Sequence, residues 1–451
     1  MDRTRIKSCV LNDRITNLPC DIIDNILKYL PLRDVVRTSI LSRGWRYKWV
    51  TIPYLVFDEN FQESLPEKCN IESIIYQILL VHKGPIIKFT LMVPDFEIYP
   101  AIDHWLHFLS NHHVEEFALW SSDMDQPMPY HLFNFDHLRH LYLIDGEIKL
   151  PPAFKGFSGL LRLELQNVYL APWEFKKLIS KCPSLEYMDL DDLDGDTRDL
   201  EIDAPNLKSF SFIGRFNSIC FKNASHLVKM SIRTSYELEI PDEFETSQEF
   251  ATFEPYESDR NMIEVLVKLS SLTFEPYESD RNMIEVLVKL SSLESDGGFL
   301  QFLATGGVPQ KLLTNLNHLT ILSLFHIGFE SIVEVKCALC LIRSSPNLQR
   351  LKITSGTPRK ERNVKTTRFL TAQQTCQIPL HRLKNVKIQR FSGAEPEMEF
   401  LKLLLLAATV LGKLEISCYH DVAREARYCM VRRLVSFRRA SPEAEIIFQE
   451  P

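Results

Sequence analysis

The strongest constraint on the fold is a spacing. From about residue 86 onward the chain repeats an apolar residue, two others, a second apolar residue, one other, and a third apolar residue. The pattern runs through Ile86-Phe89-Leu91, Val114-Phe117-Leu119, Leu138-Leu141-Leu143, Leu160-Leu163-Leu165, Leu185-Met188-Leu190, Leu207-Phe210-Phe212 and Leu227-Met230-Ile232. It resumes at Leu319-Leu322-Leu324, Leu348-Leu351-Ile353, Leu383-Val386-Ile388 and Leu411-Leu414-Ile416. The first seven triplets start 28, 24, 22, 25, 22 and 20 residues apart, which is the spacing of leucine-rich units of roughly 20–29 residues. Alternate apolar residues within each triplet carry the two-residue period of a strand. Several connections have helical spacing, as in Phe175, Leu178, Ile179 and Cys182 before Pro183. The expectation is an α/β solenoid with one strand and one helix per repeat, each repeat packing on its neighbours.

Composition narrows the alternatives. A chain of 451 residues with 25% charged residues and a net charge of −7 is neither disordered throughout nor a general nucleic-acid coat. The longest apolar run, Phe400–Leu411, contains Lys402 and is shorter than the ~20 residues that span a bilayer. The first ten residues lack an apolar signal core, so the ten cysteines are expected as reduced thiols in the cytoplasm or nucleus. One segment is repeated letter for letter. Thr252–Leu272 recurs as Thr273–Leu293, which points to a recent tandem duplication or an error in the gene model. The first copy runs into Leu269-Leu272-Phe274, a full strand pattern, and the second into Leu290-Leu293-Ser295, a degraded one.

The first fifty residues lack the solenoid spacing and read as three short helices. Pro19 suits the first turn of a helix that carries Ile22, Ile26 and Leu30 on one face. Pro31 ends it, Leu32–Leu41 forms a second helix with Val35, and a third carries Trp45 and Trp49. So small a unit cannot bury that much apolar surface alone.

This segment resembles the F-box of plant F-box proteins, through Leu18-Pro19, the Ile22–Leu30 face, Leu32–Ser42 and the pair Trp45 and Trp49. Gly44 departs from the family pattern and would loosen the third helix by ~1 kcal/mol. The far end resembles the FBD domain, through Leu383–Ile388, Phe391-Ser392-Gly393, Glu399-Phe400-Leu401, Arg439–Pro442 and Ala444-Glu445-Ile446. The chain is thus similar to the F-box/FBD/LRR-repeat family of plants. The expected organisation is an F-box at 10–50, a linker at 51–79, a leucine-rich solenoid at 80–355, a basic linker at 356–374 and an FBD cap at 375–451.

The resemblance implies a non-enzymatic role as the substrate-recognition subunit of an SCF-type cullin–RING ubiquitin ligase. The F-box would dock a Skp-family adaptor, and through it a cullin, by Leu18, Pro19, Ile22, Ile26, Leu30, Val35, Trp45 and Trp49. The alternative is a leucine-rich binding scaffold without ligase assembly. In either reading the target protein meets the outward residues of the strands. Tyr142 and Tyr187 mark the early rungs, and Arg350, Lys352, Lys387 and Lys413 give the late ones a basic lean suited to an acidic or phosphorylated segment.

No cofactor, metal, nucleic acid or membrane is expected as a partner. Cys337 and Cys340 have metal-like spacing without a second pair and read as small core residues. His104, His107, His112 and His113 lack the pattern of a zinc peptidase. Asp191–Asp196 resembles a calcium loop, but Leu190 would fall at its first ligand position. The basic run from Arg359 through Lys365 to Arg368 reads as a solvated loop.

Overall fold

The apolar triplets are strands, and every side chain in the eleven is at most 2% exposed. The computed structural model describes residues 18–449 apart from 67–68, 94–100, 122–126, 194–198, 217, 235–285, 305–307, 309, 313, 358–363, 375–379 and 421. Two units divide the chain, Met1–Leu170 and Ala171–Pro451.

The first unit opens with helices α1 (Cys20–Leu27) and α2 (Leu32–Arg37), then a 3-10 turn at Thr38–Ile40. The third helix expected around Trp45 and Trp49 is a run of turns ending in a 3-10 helix, Lys48–Thr51. Strands β1 (Tyr54–Asp58), β2 (Lys88–Met92), β3 (Glu116–Trp120), β4 (His140–Ile144) and β5 (Arg162–Gln166) then pair in parallel in chain order. Helices α3 (Glu59–Glu63) and α4 (Ile71–Val81) connect β1 to β2, and α5 (Ala101–Ser110) precedes β3. The α3 and α4 starts are capped by the side chains of Asp58 and Asn70. Residues 51–79 are therefore no linker. They contain a rung of their own, built on Ile52, Leu55 and Phe57 with the triplet spacing, and Leu55 registers with Phe89. Phe89 and Phe117, at matching positions of neighbouring strands, stack at a ring separation of 5.8 Å, and Phe57 tilts against Phe89 at 5.7 Å.

In the second unit α6 (Pro172–Ser180) leads into β6 (Tyr187–Asp191), β8 (Ser209–Ile213), β10 (Lys229–Arg233), β11 (Ser292–Asp296), β12 (Ile321–Ile327), β13 (Arg350–Ser355), β14 (Asn385–Phe391), β15 (Lys413–Cys418) and β16 (Glu445–Gln449), a parallel sheet. Two connections differ from the strand-plus-helix plan. Between β6 and β8 lies β7 (Asp199–Ile202), between β8 and β10 lies β9 (Ser218–Phe221), and these two form a separate parallel pair. These connections close with buried Leu200, Ile202, Ile219 and Phe221 on β7 and β9.

Later connections are helical: α7 (Gly297–Leu303), α8 (Ile332–Ser344), α9 (Val364–Gln373), α10 (Glu395–Ala407) and α11 (Arg424–Val435). Helix α9 falls in the stretch read as a basic loop. Lys365 and Arg368 belong to it, and Thr366, Leu370 and Gln373 bury its inner face, whereas Arg359–Arg362 lie outside the described residues. Strands β14, β15 and β16 continue the register of β13, so the FBD stretch extends the sheet by three rungs and covers the edge that β13 would otherwise expose. Glu397 at the start of α10 is buried and accepts N–H groups from Ser392, Gly393 and Ala394, fixing the turn that leaves β14.

The first tandem copy lies outside the described residues, and of the second only 286–293 are described. Its degraded end nevertheless forms a full rung. Leu293 pairs in register with Met230 and Leu322, and Ser295 takes the third core position with no exposure. Asp296 explains the choice. Its carboxylate accepts from the Thr234 N–H and hydroxyl at 2.7 Å and caps α7 through the Phe299 N–H at 2.9 Å. The corresponding residue after the first copy is Glu275, followed by Pro276.

Candidate functional site

The expected site residues fall on two surfaces, one on the N-terminal helices and one on the outward face of the strands. On α1, Ile23 and Leu27 turn inward and are 2% exposed, while Ile22 and Ile26 are 46% and 41% exposed. Positions 22 and 26 share a helix face four residues apart. Leu30 just beyond α1 is open as well, and Ile40 and Leu41 after α2 are more so. Pro19 is exposed, and Leu18 and Trp49 are half-buried. Val35 and Trp45 stand apart from the other expected docking residues. Both are buried, so they hold the helices in place and present no side-chain surface. Tyr29 and Tyr47 are highly exposed, and the sequence reading omitted both. A tyrosine beside an isoleucine face is visible in the sequence, but whether it points outward depends on packing.

The strand face in the first unit is closely paired. Lys88 and Glu116 lie 3.0 Å apart, and Glu164 receives His140 at 3.2 Å and Arg162 at 3.1 Å. The close approach of His140 holds the Glu164 carboxyl below the usual range, with burial opposing it. Tyr142 is half-buried and donates its hydroxyl to Gln166 at 3.0 Å. In the second unit Tyr187 is open. The basic lean of the late rungs is weaker than composition suggests. Lys387 lies 3.8 Å from Glu415, and Lys413 pairs with the same carboxylate, which those lysines hold below its ordinary range. Arg350 is exposed, and Lys352 sits 5.0 Å from the centre of the Phe325 ring.

The remaining chemical candidates fall into structural roles. Cys337 and Cys340 are buried in α8, where loss of solvent pushes both thiols up, Cys340 to about 11. His131 bonds Asp103 at 2.9 Å, and His113 stacks on His137. Asp192 takes a left-handed backbone turn after β6, and 194–196 lie outside the described residues. No group of three metal-ligating side chains is present among the described residues, and no described helix is long and apolar enough to cross a membrane.

Parallel rungs with sealed triplets, led by short helices with an open apolar face, define a leucine-rich-repeat solenoid carrying an F-box and serving substrate recognition. Family models agree along the chain. The F-box domain matches residues 15–55, the leucine-rich repeats of the FBD-associated F-box protein At5g56370 match 102–245, and the FBD matches 374–416. F-box/FBD/LRR-repeat protein At1g13570 of Arabidopsis thaliana is 34% identical over 97% of this chain and 98% of its own length. The same plant's F-box/FBD/LRR-repeat proteins At5g56420 and At4g00160 are 28% and 29% identical over 44% and 45% of this chain, and 48% and 47% of their own lengths. The chain belongs to the F-box/FBD/LRR-repeat proteins. Family members of this adaptor type are in general not catalysts.

Proposed function

We propose that the chain is the substrate-recognition subunit of an SCF-type ubiquitin ligase in the nucleus or cytoplasm. The N-terminal helices dock a Skp-family adaptor, and through it a cullin, while the strand face captures a target protein. The observation that carries this reading is the open apolar face of Ile22, Ile26 and Leu30, with Ile40 and Leu41. Apolar side chains of that size, left open beside inward-facing neighbours, fit a partner surface. The ligase then acts by proximity, holding target and ubiquitin-bearing enzyme together.

Docking is assigned to the exposed members of the set. Leu18, Pro19 and Trp49 border the face, and Val35 and Trp45 set its geometry from beneath. Co-expression with a Skp-family adaptor is the test. Wild-type chain is expected to co-purify with it, and Ile22→Asp with Ile26→Asp to abolish recovery with little change in melting temperature. A wild-type chain that binds no adaptor would leave a leucine-rich scaffold outside any ligase.

A further inference from the structure

Several cations on or beside the strands have a carboxylate partner. Lys88 has Glu116, Arg162 has Glu164, Lys208 has Glu186, and Lys387 and Lys413 share Glu415. Three half-buried cations on strands of the second unit have none within ion-pair distance among the described residues. These are Arg233 at the end of β10, Lys352 in β13 and Arg390 near the end of β14. They are grouped by contact. Arg233 and Lys352 both lie over the Phe325 ring, at 5.7 and 5.0 Å. The next residue, His326, is 3.4 Å from the Arg390 guanidinium, which lies 5.1 Å from the Tyr419 ring centre and 3.5 Å from its hydroxyl. The Nε of Arg233 is buried and has no hydrogen-bond partner. Two acids lie near. Asp296 is committed to Thr234 and Phe299, and Asp191 interacts with Arg233 only beyond ion-pair distance, with burial and the neighbouring Asp189 and Asp192 pushing its carboxyl up.

The backbone at this place is also unusual. Several rungs turn out of the strand through a left-handed residue five places after its first residue. That position holds Asp145, Asn167, Asp192 and Gly214, types for which a positive φ is inexpensive. In β12 and β14 it holds His326 (φ 53°) and Arg390 (φ 57°), and the pairing register shifts beside each. Histidine tolerates the conformation. Arginine gains nothing locally from it, and a shift of this kind re-aims a side chain.

We propose that Arg233, Lys352 and Arg390, with His326 and Tyr419 at the margin, form a phosphate-binding site that holds a phosphorylated side chain of the target. The assignment rests on the target-capture role proposed above. Three unpaired cations suit a group of charge near −2 with three acceptor oxygens, and two of them are guanidiniums able to bind in a fork. A single carboxylate would leave most of that charge uncompensated.

The test uses the full chain co-expressed with its adaptor. The probe is an immobilised degenerate phosphoserine/phosphothreonine peptide mixture beside its phosphatase-treated counterpart, with inorganic phosphate as competitor. The expected result is retention on the phosphorylated mixture, competed by phosphate and falling as salt rises. Lys352→Gln and Arg390→Gln should each weaken retention about tenfold or more. Arg390→Gly separates binding from folding. It should weaken retention to the same degree while the melting temperature holds or rises, since glycine suits the positive φ.

Equal retention on both mixtures, or unchanged retention in Lys352→Gln and Arg390→Gly, would overturn the site. Competition-grade phosphate binding without peptide retention would move the ligand to a small phosphorylated molecule and overturn the target-segment source. Adaptor recovery in the same preparations keeps the two proposals apart. Loss of adaptor binding with phosphopeptide retention refutes the ligase reading alone, and the reverse refutes this site alone.

Discussion

The N-terminal helices and the rungs draw on the same residue types and treat them in opposite ways. Within the rungs, leucine, isoleucine and phenylalanine disappear, with every side chain of the eleven triplets from Ile86 onward at most 2% exposed. On the outer face of α1 and just after α2, Ile22, Ile26, Leu30, Ile40 and Leu41 stay open, Ile40 reaching 84%. A rung always has a neighbour in the same chain, because each strand offers its core face to the next. The short helices have no such neighbour for their outer face among the described residues. Exposure of the same residue type is thus information about partners, and sequence hydrophobicity alone does not contain it.

Mutating both regions equally would break that contrast most directly. Phe117→Ala removes a ring that stacks on Phe89 within the sealed core and should cost about 3–5 kcal/mol of unfolding free energy, seen in the denaturant midpoint. Ile26→Ala on the open face should cost well under ~1 kcal/mol of stability and yet about 2 kcal/mol of adaptor affinity. Similar losses of stability at both sites would mean that the helical face is covered by the chain itself.

A smaller effect concerns the one rung whose third core position is polar. The Ser295 hydroxyl is buried without a hydrogen-bond partner, between the strands of Ile232 and Leu324. Ser295→Val should stabilise the chain by about 1 kcal/mol, because desolvation of the hydroxyl is no longer required. A destabilised variant would show that the pocket is already filled.

Charge on the strand face should matter less. Glu164 has its carboxyl lowered by His140, so its contribution is present at neutral pH and fades as pH falls through that depressed value. Glu164→Gln should therefore cost about 0.5 kcal/mol at pH 7, and the difference from wild type should vanish in acid. A difference that grows toward acid would reverse the sign and the assignment. The smallest expected effect is nil. Removing Thr273–Leu293 joins Leu272 to Glu294 and regenerates the same sequence through strand β11, so melting should be unchanged. A large loss would show that the extra copy supplies a rung of its own.

Much of the architecture was legible because a solenoid writes its core into a fixed spacing. Ile52-Leu55-Phe57 has that spacing too, but it adjoins the helical segment and stands well before the next triplet at Ile86, so the sequence alone makes 51–79 look like a linker. The back-side strands β7 and β9 were not legible, because four-residue apolar segments do not reveal which side of a sheet they close. The surfaces were harder still. Val35 and Trp45 fit the docking pattern by type and are buried by packing, and Lys387 and Lys413 lose their apparent free charge to Glu415, which shares a strand with Lys413 and neighbours that of Lys387. The Arg390 cluster depends on residues more than 150 positions apart, from Arg233 to Arg390, brought together by parallel register.

Strand β11 also sets a kinetic problem for the folding chain. Two identical segments, both ending Val-Leu-Val-Lys-Leu-Ser-Ser-Leu, compete for one slot beside β10, and the earlier one emerges first from the ribosome. If the first copy docks, its Phe274 satisfies the third apolar position, while Glu275 stands where Asp296 would cap the next helix. Such an intermediate is apolar-complete and polar-incomplete, and must unpair before the native register can form. Refolding of the full chain should show a slow phase that disappears when one copy is deleted, while the equilibrium midpoint stays where it was.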